Sequence, residues 1–208
     1  MKSQYKSPYK PAHPLPTRSL ILASASPRRA ELLQQVGVSF TVRTANIDES
    51  RRGQETAADY VQRLARSKAL AVAQTLTAHE QGQVILAADT TVAIGEHILE
   101  KPRDEADFSR MMHLLSGTWH EVLTGVAVWC EGELQSQVVT TRVRFMHLSE
   151  DDIRRYWATV EPCDKAGGYA IQGRGAAFIP EIQGSYSNVV GLPLVETLGL
   201  LAAHDLSR

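Results

Sequence analysis

The strongest constraint on the fold comes from an uninterrupted apolar run at residues 84–88, which reads VILAA and leads directly into Asp89, Thr90 and Thr91. A short run of this kind is typical of a strand that is buried on both faces. Such a strand needs a layer of structure on each side of its sheet, and helical and strand patterns mix along the whole chain. The sequence therefore predicts an α/β fold with a mixed central sheet, in which this strand ends at Asp89.

Turn and cap residues divide the rest of the chain into further elements. Strands are predicted at residues 19–23, 40–43, 119–130, 134–146 and near 176–179. Helices are predicted from Pro27 to near Gly37, from Thr56 to about Leu76, from Asp104 to Leu115, over residues 149–157, and from Pro193 onward. The strands at 119–130 and 134–146 form a hairpin that, with the helix after it, would build a second lobe. A cleft between two lobes is a natural ligand site.

Length and composition limit the class of protein. The 208 residues suit one large domain or two small lobes, and 43% hydrophobic with 22% charged residues is ordinary for a globular chain. A disordered chain, a collagen and a coiled coil are excluded. The net charge of −1 gives no overall attraction to nucleic acid, so a site for a polyanion must be built locally.

The start of the chain differs from the remainder. Residues 1–17 contain four prolines and no apolar segment, so we expect a disordered tail, with residues 18–208 as a single two-lobed domain. No apolar run is long enough to cross a bilayer, and no secretory signal is expected. Cys130 and Cys163 are far apart and form no CxxC motif. They are expected to be reduced structural thiols in a cytoplasmic protein.

An anion site is predicted where the first strand meets the first helix, at residues 24–29 (SASPRR). Ser26 is a good N-cap and Pro27 a good first helical residue, whereas Arg28 and Arg29 oppose the helix dipole. Backbone N–H groups, the hydroxyls of Ser24 and Ser26 and two guanidinium groups would converge on one point, as phosphates require. The alternative is a pair of solvated arginines on a surface turn.

Three further charged residues are candidates for this site. Lys68 falls on the buried stripe of its helix, so its ammonium group either reaches the surface or points into a cleft. Asp89 follows the buried strand, where ligand groups are common in α/β proteins, although a turn-capping role is the alternative. Lys101 is fixed beside Pro102 and would otherwise be a solvated loop lysine.

A glycine-rich segment at residues 167–175 approaches a P-loop, but Arg174 and Gly175 replace the required Lys-Ser/Thr pair, so that motif is excluded. Gln172 in this segment can donate to and accept from a base edge, unless the segment is simply a flexible surface loop. His120-Glu121 lacks the second histidine of a zincin helix, and the seven histidines are scattered without zinc spacing.

Five short segments, taken together in order, resemble the Maf family of nucleoside triphosphate pyrophosphatases. They are residues 22–29 (LASASPRR), 88–90 (ADT), 100–102 (EKP), 164–169 (DKAGGY) and 191–193 (GLP). The resemblance covers about residues 19–203. It implies an elongated two-lobed α/β fold related to the inosine triphosphate pyrophosphatases, with the ligand cleft between the lobes. It also implies hydrolysis of a nucleoside triphosphate to monophosphate and pyrophosphate with a divalent metal, Mg²⁺ or Mn²⁺.

The resemblance also assigns expected roles. Asp89 matches the proton acceptor, and Arg28, Thr90 and Gln172 match positions that set substrate choice. The combination of residues 88–90 (ADT) with 171–173 (IQG) resembles the members that act on dTTP and UTP. The residues expected to bind substrate are Ser24, Arg28, Arg29, Glu49, Lys68, Thr90, Lys101 and Gln172. Glu49 and Asp89 are the candidates for holding the metal.

The charges suggest direct attack of water on the α-phosphorus, because no residue is placed as a covalent nucleophile. Two alternatives remain: a nucleotide-binding regulator without turnover, such as one acting on septum formation, and an inosine or xanthosine triphosphatase. Pyrophosphate release from a panel of nucleotides separates them. The expected partner is the nucleotide, with no nucleic acid or membrane, and the chain is compatible with a homodimer.

Overall fold

A computed structural model describes residues 18–203, which fold around a mixed seven-stranded sheet. The strands are β1 Leu20–Leu22, β2 Phe40–Val42, β3 Val84–Ile94, β4 His97–Leu99, β5 Trp119–Cys130, β6 Glu133–Arg144 and β7 Glu181–Gln183. The helices are α1 Pro27–Gln35, α2 Ala57–Ala73, α3 Glu105–Leu115, α4 Glu150–Trp157, α5 Tyr186–Val190 and α6 Leu194–Ala203. The sheet order is β2-β1-β3-β5-β6-β7, and β4 pairs with β3 off this path.

The two long strands β3 and β5 connect two lobes. Beside β1, alternate residues enter opposite cores: Leu20 and Leu22 pack with α1 and α6, whereas Ile21 packs with α2. This explains why the apolar run has no polar face. Further along β3 and β5, helices α3 and α4 enclose a separate core around Phe108 and Phe145. The predicted two-lobed α/β architecture with a mixed sheet is confirmed.

Strand β3 is longer than the sequence predicts. It pairs in parallel with β1 over its first residues and antiparallel with β5 from Ile85 to Ala93. The prediction that the strand ends at Asp89 is therefore wrong, because the ladder with β5 continues past it, with Asp89 opposite Gly125. Asp89 lies in the middle of the strand, at the level where one lobe gives way to the other.

Helix starts follow their capping residues. Thr56 accepts a hydrogen bond from the Asp59 backbone N–H and Asp104 accepts one from that of Asp107, while Ser149 forms a capping box with Asp152. Helix α1 begins at Pro27 as predicted. Helix α2 ends at Ala73, somewhat before the predicted Leu76, and α6 begins immediately after Pro193.

The region after residue 173 differs most from the prediction. The strand expected near 176–179 is wrong: a 3₁₀-helix spans Arg174–Phe178, and the strand is β7, which pairs with β6. Phe178 and Ile179 are half-buried in this turn, and the Phe178 ring packs on Tyr156 with ring centroids 5.1 Å apart. Helix α5, capped by Ser185, was not predicted.

The predicted tail at residues 1–17 lies outside the described residues, as do residues 204–208. Among the described helices, none is both long and apolar enough to cross a membrane. Cys130 is buried, Cys163 is exposed, and both are free thiols.

Candidate active site

A cleft of about 1010 Å³ opens between the two lobes, and all nine residues selected from the sequence line it. They come from the β1–α1 connection, the loop after β2, helix α2, strand β3, and the loops after β4 and α4. Their members are Ser24, Arg28, Arg29, Glu49, Lys68, Asp89, Thr90, Lys101 and Gln172. The fold therefore brings these segments together, while the individual roles stay predictions.

Asp89 lies at the centre of the cleft in contact with Lys68. The Lys68 ammonium group is 2.7 Å from Asp89 Oδ1 and 2.8 Å from Glu49 Oε1. The Lys68 side chain is largely buried, so it points into the cleft and does not reach the surface. Of the two interpretations of Lys68, the structure favours the ligand-facing one.

Burial raises the pKa of the Asp89 carboxyl above its ordinary value. The positive charges of Lys68 and Arg29 act in the opposite direction, and the negative charge of Glu49 adds to the increase. Asp89 thus combines two properties of a general base: a raised proton affinity and a nearby cation that supports its ionised form.

A glycine makes the contact between Lys68 and Asp89 possible. Gly125 lies opposite Asp89 in the β3–β5 ladder, on the face that packs against α2. A Cβ atom at Gly125 would lie 2.4 Å from the backbone oxygen of Val61, so only glycine lets α2 approach the sheet this closely. Lys68 lies two turns after Val61 on the same side of the helix, and it therefore reaches Asp89.

The two neighbouring arginines separate. Arg29 is buried, and its guanidinium donates to Gly191 O at 2.8 Å, Ser24 Oγ at 2.9 Å and Thr90 Oγ1 at 3.1 Å. Burial lowers the pKa of Arg29, yet an arginine stays charged at neutral pH. Arg29 therefore fixes Ser24 and Thr90 in place, and the interpretation of both arginines as solvated is wrong for this one.

Arg28 lies on the open side of the cleft. Its guanidinium is 3.7 Å from the Asp164 carboxylate, a distance that leaves its N–H groups available to a ligand. Lys101 is exposed on the opposite wall. Lys165, which the sequence analysis did not select, also lines the cleft and pairs with Asp164. Lys165 could have been selected from the sequence because it belongs to the 164–169 segment (DKAGGY).

Thr90 belongs to a polar chain behind the cleft. Its hydroxyl is 2.9 Å from that of Thr124, which donates to the backbone oxygen of Asn188 at 3.2 Å. The Asn188 amide in turn donates to Val122 O and Thr141 Oγ1, each at 3.0 Å. Buried polar groups with this many partners hold one geometry. Thr124 and Asn188 carry no motif that would identify them in the sequence.

Tyr60 is another residue that the sequence did not reveal, because its position on α2 matches an ordinary core residue. Its hydroxyl lies 3.0 Å from the backbone oxygen of Glu49 and contacts the Glu100 carboxylate. Burial, together with the hydrogen bond to Glu100, raises the pKa of Tyr60, so it stays protonated as a donor. Tyr60 thereby connects the loop bearing Glu49 to the segment bearing Lys101.

The metal candidates form only part of a coordination shell. Glu49 and Asp89 direct one carboxylate oxygen each toward the same Lys68 ammonium group. Within residues 18–203, no group of three or more His, Cys, Asp or Glu side chains is placed to hold a metal by itself. The remaining ligands of a cation here would come from a bound anion or from water.

Comparisons with known proteins identify the family of this chain. A family model described as Maf-like protein matches residues 19–204. A dTTP/UTP pyrophosphatase from Vibrio cholerae serotype O1 is 53% identical over 182 residues, 88% of this chain and 96% of that protein. Another protein of that name, from Hahella chejuensis, is 51% identical over 184 residues, 88% of this chain and 91% of its own length.

A solved structure also aligns with part of the chain. The Staphylococcus aureus Ham1 protein covers 62% of this chain and 72% of its own, with 12% identity and a TM-score of 0.44. This likeness is too distant to support an argument.

Proposed function

The chain belongs to the Maf family, and from this membership we propose that it hydrolyses nucleoside triphosphates, with dTTP and UTP preferred, to the monophosphate and pyrophosphate. Relatives that carry the name dTTP/UTP pyrophosphatase are 51–53% identical to it over most of their length. The reaction removes these nucleotides from the pool.

One observation carries the proposal: a buried carboxylate, Asp89, lies among the cations of a cleft large enough for a nucleotide. A protein that only bound phosphates would lose affinity by placing a negative charge there. A hydrolase needs that group, because water must lose a proton as it attacks. The raised pKa of Asp89 fits this use.

The proposed mechanism is a direct displacement at the α-phosphorus. Asp89 accepts the proton of the attacking water while the new P–O bond forms and the bond to the β-phosphate oxygen breaks. Lys68, 2.7 Å from Asp89, stabilises its ionised form before the attack. Arg28 and Lys101 stabilise the charge of the departing pyrophosphate. No covalent intermediate is required.

We propose that Ser24 and Arg29 help to hold the phosphates. Ser24 Oγ accepts hydrogen bonds from Arg29 and from the Ser26 backbone N–H at 3.2 Å, so its own proton is left for an acceptor in the cleft. Three N–H groups of Arg29 are already used within the protein. Arg29 acts mainly as a positioning residue that also contributes positive charge.

We also propose a divalent cation, Mg²⁺ or Mn²⁺, as cofactor. Glu49 and Asp89 fit such an ion, since both carboxylates already face one cationic group, and Mg²⁺ is often held by one or two carboxylates together with substrate phosphates. When bound, the ion would neutralise phosphate charge and polarise the reacting phosphoryl group.

Base choice is assigned to Gln172. Its amide is exposed at the cleft and offers both a donor and an acceptor. The O4 and N3–H edge of uracil and thymine matches that pair in one orientation of the amide, whereas the adenine edge, with donor and acceptor in the opposite order, needs the amide turned by 180°. A site built for one edge pattern disfavours a base that leaves its polar groups unpaired.

We place the activity in the cytoplasm. Buried Cys130 and exposed Cys163 are both free thiols, which suits a reducing compartment. Fractionation of cells expressing the full chain tests this, and recovery in a secreted fraction would contradict it.

The experiment that tests the function measures pyrophosphate and monophosphate from UTP, dTTP, CTP, ATP, GTP, ITP and XTP with Mg²⁺. We expect UTP and dTTP to have the highest kcat/KM and to yield the two products in equal amounts. Highest turnover of ITP or XTP would identify an inosine or xanthosine triphosphatase. Nucleotide binding without pyrophosphate release from any substrate would identify a regulator and refute the proposal.

Metal dependence is tested with the same protein after chelation. Titration of the apoprotein with Mn²⁺, followed by electron paramagnetic resonance, should show tighter binding in the presence of a non-hydrolysable UTP analogue. Glu49→Gln should weaken that binding. Equal binding by wild type and Glu49→Gln would remove Glu49 from the metal site.

A further inference from the structure

The segment that carries Gln172 is held from outside the cleft by two side chains, Glu161 and Tyr156. These two side chains bind both ends of the segment at residues 170–175, and neither Glu161 nor Tyr156 lines the cleft. Their contacts determine where Gln172 lies relative to a bound base. Any effect of these contacts on base choice rests on the proposed role of Gln172.

Glu161 binds the C-terminal end of the segment through both carboxylate oxygens. Its Oε2 accepts the Arg174 backbone N–H at 2.9 Å, and its Oε1 accepts that of Gly175 at 3.1 Å. Burial by itself would raise the pKa of Glu161, but the N–H of Arg174, the Tyr156 hydroxyl and the N–H of Gly175 lower it. The carboxylate is therefore ionised at neutral pH.

Tyr156 connects Glu161 to the other end of the segment. Its hydroxyl donates to Glu161 Oε1 at 2.7 Å and accepts the Ala170 backbone N–H at 3.1 Å. The ring is buried against Phe178 and Phe108, so the hydroxyl has a fixed position. One carboxylate and one phenol thus hold the segment on both sides of Gln172.

Two glycines in the segment fit closely around these groups. A Cβ at Gly173 would lie 2.3 Å from Glu161 Oε2, and one at Gly175 would lie 2.7 Å from the Tyr156 hydroxyl. Both distances are far below a normal contact, so these positions admit no side chain while Glu161 and Tyr156 stay in place. The positions of the Glu161 carboxylate and the Tyr156 phenol therefore require glycine at both places.

The backbone before Glu161 is strained. Val160 has a φ of +64°, a left-handed conformation that is a genuine outlier for a β-branched residue. Such strain persists where the surrounding structure enforces it, and it is common at functional sites. Here it turns the chain from α4 so that Glu161 faces the segment.

We propose that Glu161, acting with Tyr156, is a positioning residue that sets the base preference of the enzyme by fixing the segment that presents Gln172. Glu161 touches neither the reacting atoms nor the base. Its loss should therefore change the discrimination between bases more than the chemical step, which depends on Asp89 and Lys68.

The test compares wild type with Glu161→Gln and Tyr156→Phe. The glutamine amide nitrogen cannot accept a hydrogen bond, so at least one backbone N–H of Arg174 or Gly175 loses its partner. Tyr156→Phe keeps the ring and removes the hydroxyl that donates to Glu161 and accepts from the Ala170 backbone N–H. The matched control is Arg174→Ala, which changes an exposed side chain of the same segment and keeps the backbone N–H that Glu161 binds.

The measurement is the dissociation constant of α,β-imido-UTP and of α,β-imido-ATP by calorimetry, below the melting temperature of every variant. We expect the preference for the uracil analogue to fall by about tenfold in Glu161→Gln, the usual effect of one hydrogen bond to a charged group. Tyr156→Phe should show a smaller fall and Arg174→Ala none. With UTP as substrate, KM should rise while kcat changes by less than about threefold.

An unchanged preference in Glu161→Gln and Tyr156→Phe overturns the inference, as does an equal loss in Arg174→Ala or a wild type without preference. If Glu161→Gln does not fold, Tyr156→Phe decides the outcome. If the proposed function is wrong, wild type releases no pyrophosphate from UTP. The ratio of the dissociation constants of the two analogues can still be measured in that case, so the two failures are distinguishable.

Discussion

Asp89→Asn is the substitution that tests the proposed chemistry most directly. The side chain keeps its shape and an oxygen that can accept from Lys68, 2.7 Å away in the wild type. It loses the ability to take a proton from water. Removal of a positioned general base lowers kcat by about 10²–10⁴-fold. That range corresponds to about 3–5 kcal/mol of transition-state stabilisation.

The same substitution should not reduce stability. Burial raises the pKa of Asp89 in the folded protein above its unfolded value. A carboxyl group with a raised pKa costs the fold stability as pH rises from its unfolded pKa to its folded pKa, and the full penalty remains at every higher pH. A neutral asparagine removes this penalty, and Lys68 keeps Glu49 as a partner at 2.8 Å. We therefore expect a Tm equal to or above that of wild type at pH 7.

Asp107→Asn is the matched control because Asp107 has the opposite electrostatics. Hydrogen bonds from Arg103, with a further contribution from Arg110, lower its pKa to about 2, against the opposing effect of burial. Its ionised form stabilises the fold above the unfolded pKa, and this stability is lost as pH falls toward 2. Asp107→Asn should lower the unfolding free energy by about 2 kcal/mol and leave kcat unchanged.

The assay is single-turnover release of pyrophosphate from UTP, with thermal unfolding of each variant measured in the same buffer. The role of Asp89 as general base is refuted if Asp89→Asn turns over within a few-fold of wild type. It is also refuted if Asp89→Asn loses as much stability as Asp107→Asn, because Asp89 would then be a structural group.

Three further outcomes are expected. The kcat/KM for UTP should rise with pH through the raised pKa of Asp89. Lys68→Met should move this rise to higher pH, because the positive charge that stabilises the ionised carboxylate is lost. A pH–rate profile of each protein measures both effects. Arg28→Ala should raise KM for UTP by about tenfold with Tm within about 2 °C of wild type, since its Asp164 partner is 3.7 Å away; steady-state kinetics and calorimetry measure this. Gln172→Ala should lower the kcat/KM ratio of UTP to ATP by about tenfold, and an unchanged ratio would remove Gln172 from base choice.

The parts of the fold that depend on local chemistry could be predicted from the sequence. The caps Thr56, Asp104 and Ser149 each satisfy a backbone N–H within three residues, so the start of their helices needs no tertiary information. The apolar run at 84–88 likewise required a buried strand, which β3 provides.

The elements that were predicted wrongly depend on partners far along the chain. The length of β3 is set by β5, which continues the ladder past Asp89. The strand expected near 176–179 is replaced by a 3₁₀-helix because Phe178 finds its core partner, Tyr156, on α4. Neither pairing leaves a signal in the local sequence.

In the candidate site, too, the local sequence identifies some features, and only tertiary packing decides the others. The segment with Arg28 and Arg29 was recognisable, but consecutive residues of a helix point about 100° apart, so the two arginines take different positions relative to a ligand. Only the packing of α1 decides that Arg29 is the buried one. Lys68 had two possible orientations from its helical position, and the contact of α2 with the sheet at Gly125 decides between them.

The charges of the cleft connect the site to its expected dependence on a metal. Six cationic and four anionic side chains line it, so the net charge of the wall is +2. Part of the positive charge is already compensated locally, because Lys68 pairs with Asp89 and Glu49, and Lys165 pairs with Asp164. A triphosphate carries more negative charge than the net +2 of this wall neutralises, and under the proposed mechanism Asp89 places another negative charge beside the α-phosphate. This charge balance supports the proposed divalent cation, for which the two carboxylates that face Lys68, Glu49 and Asp89, are the candidate ligands.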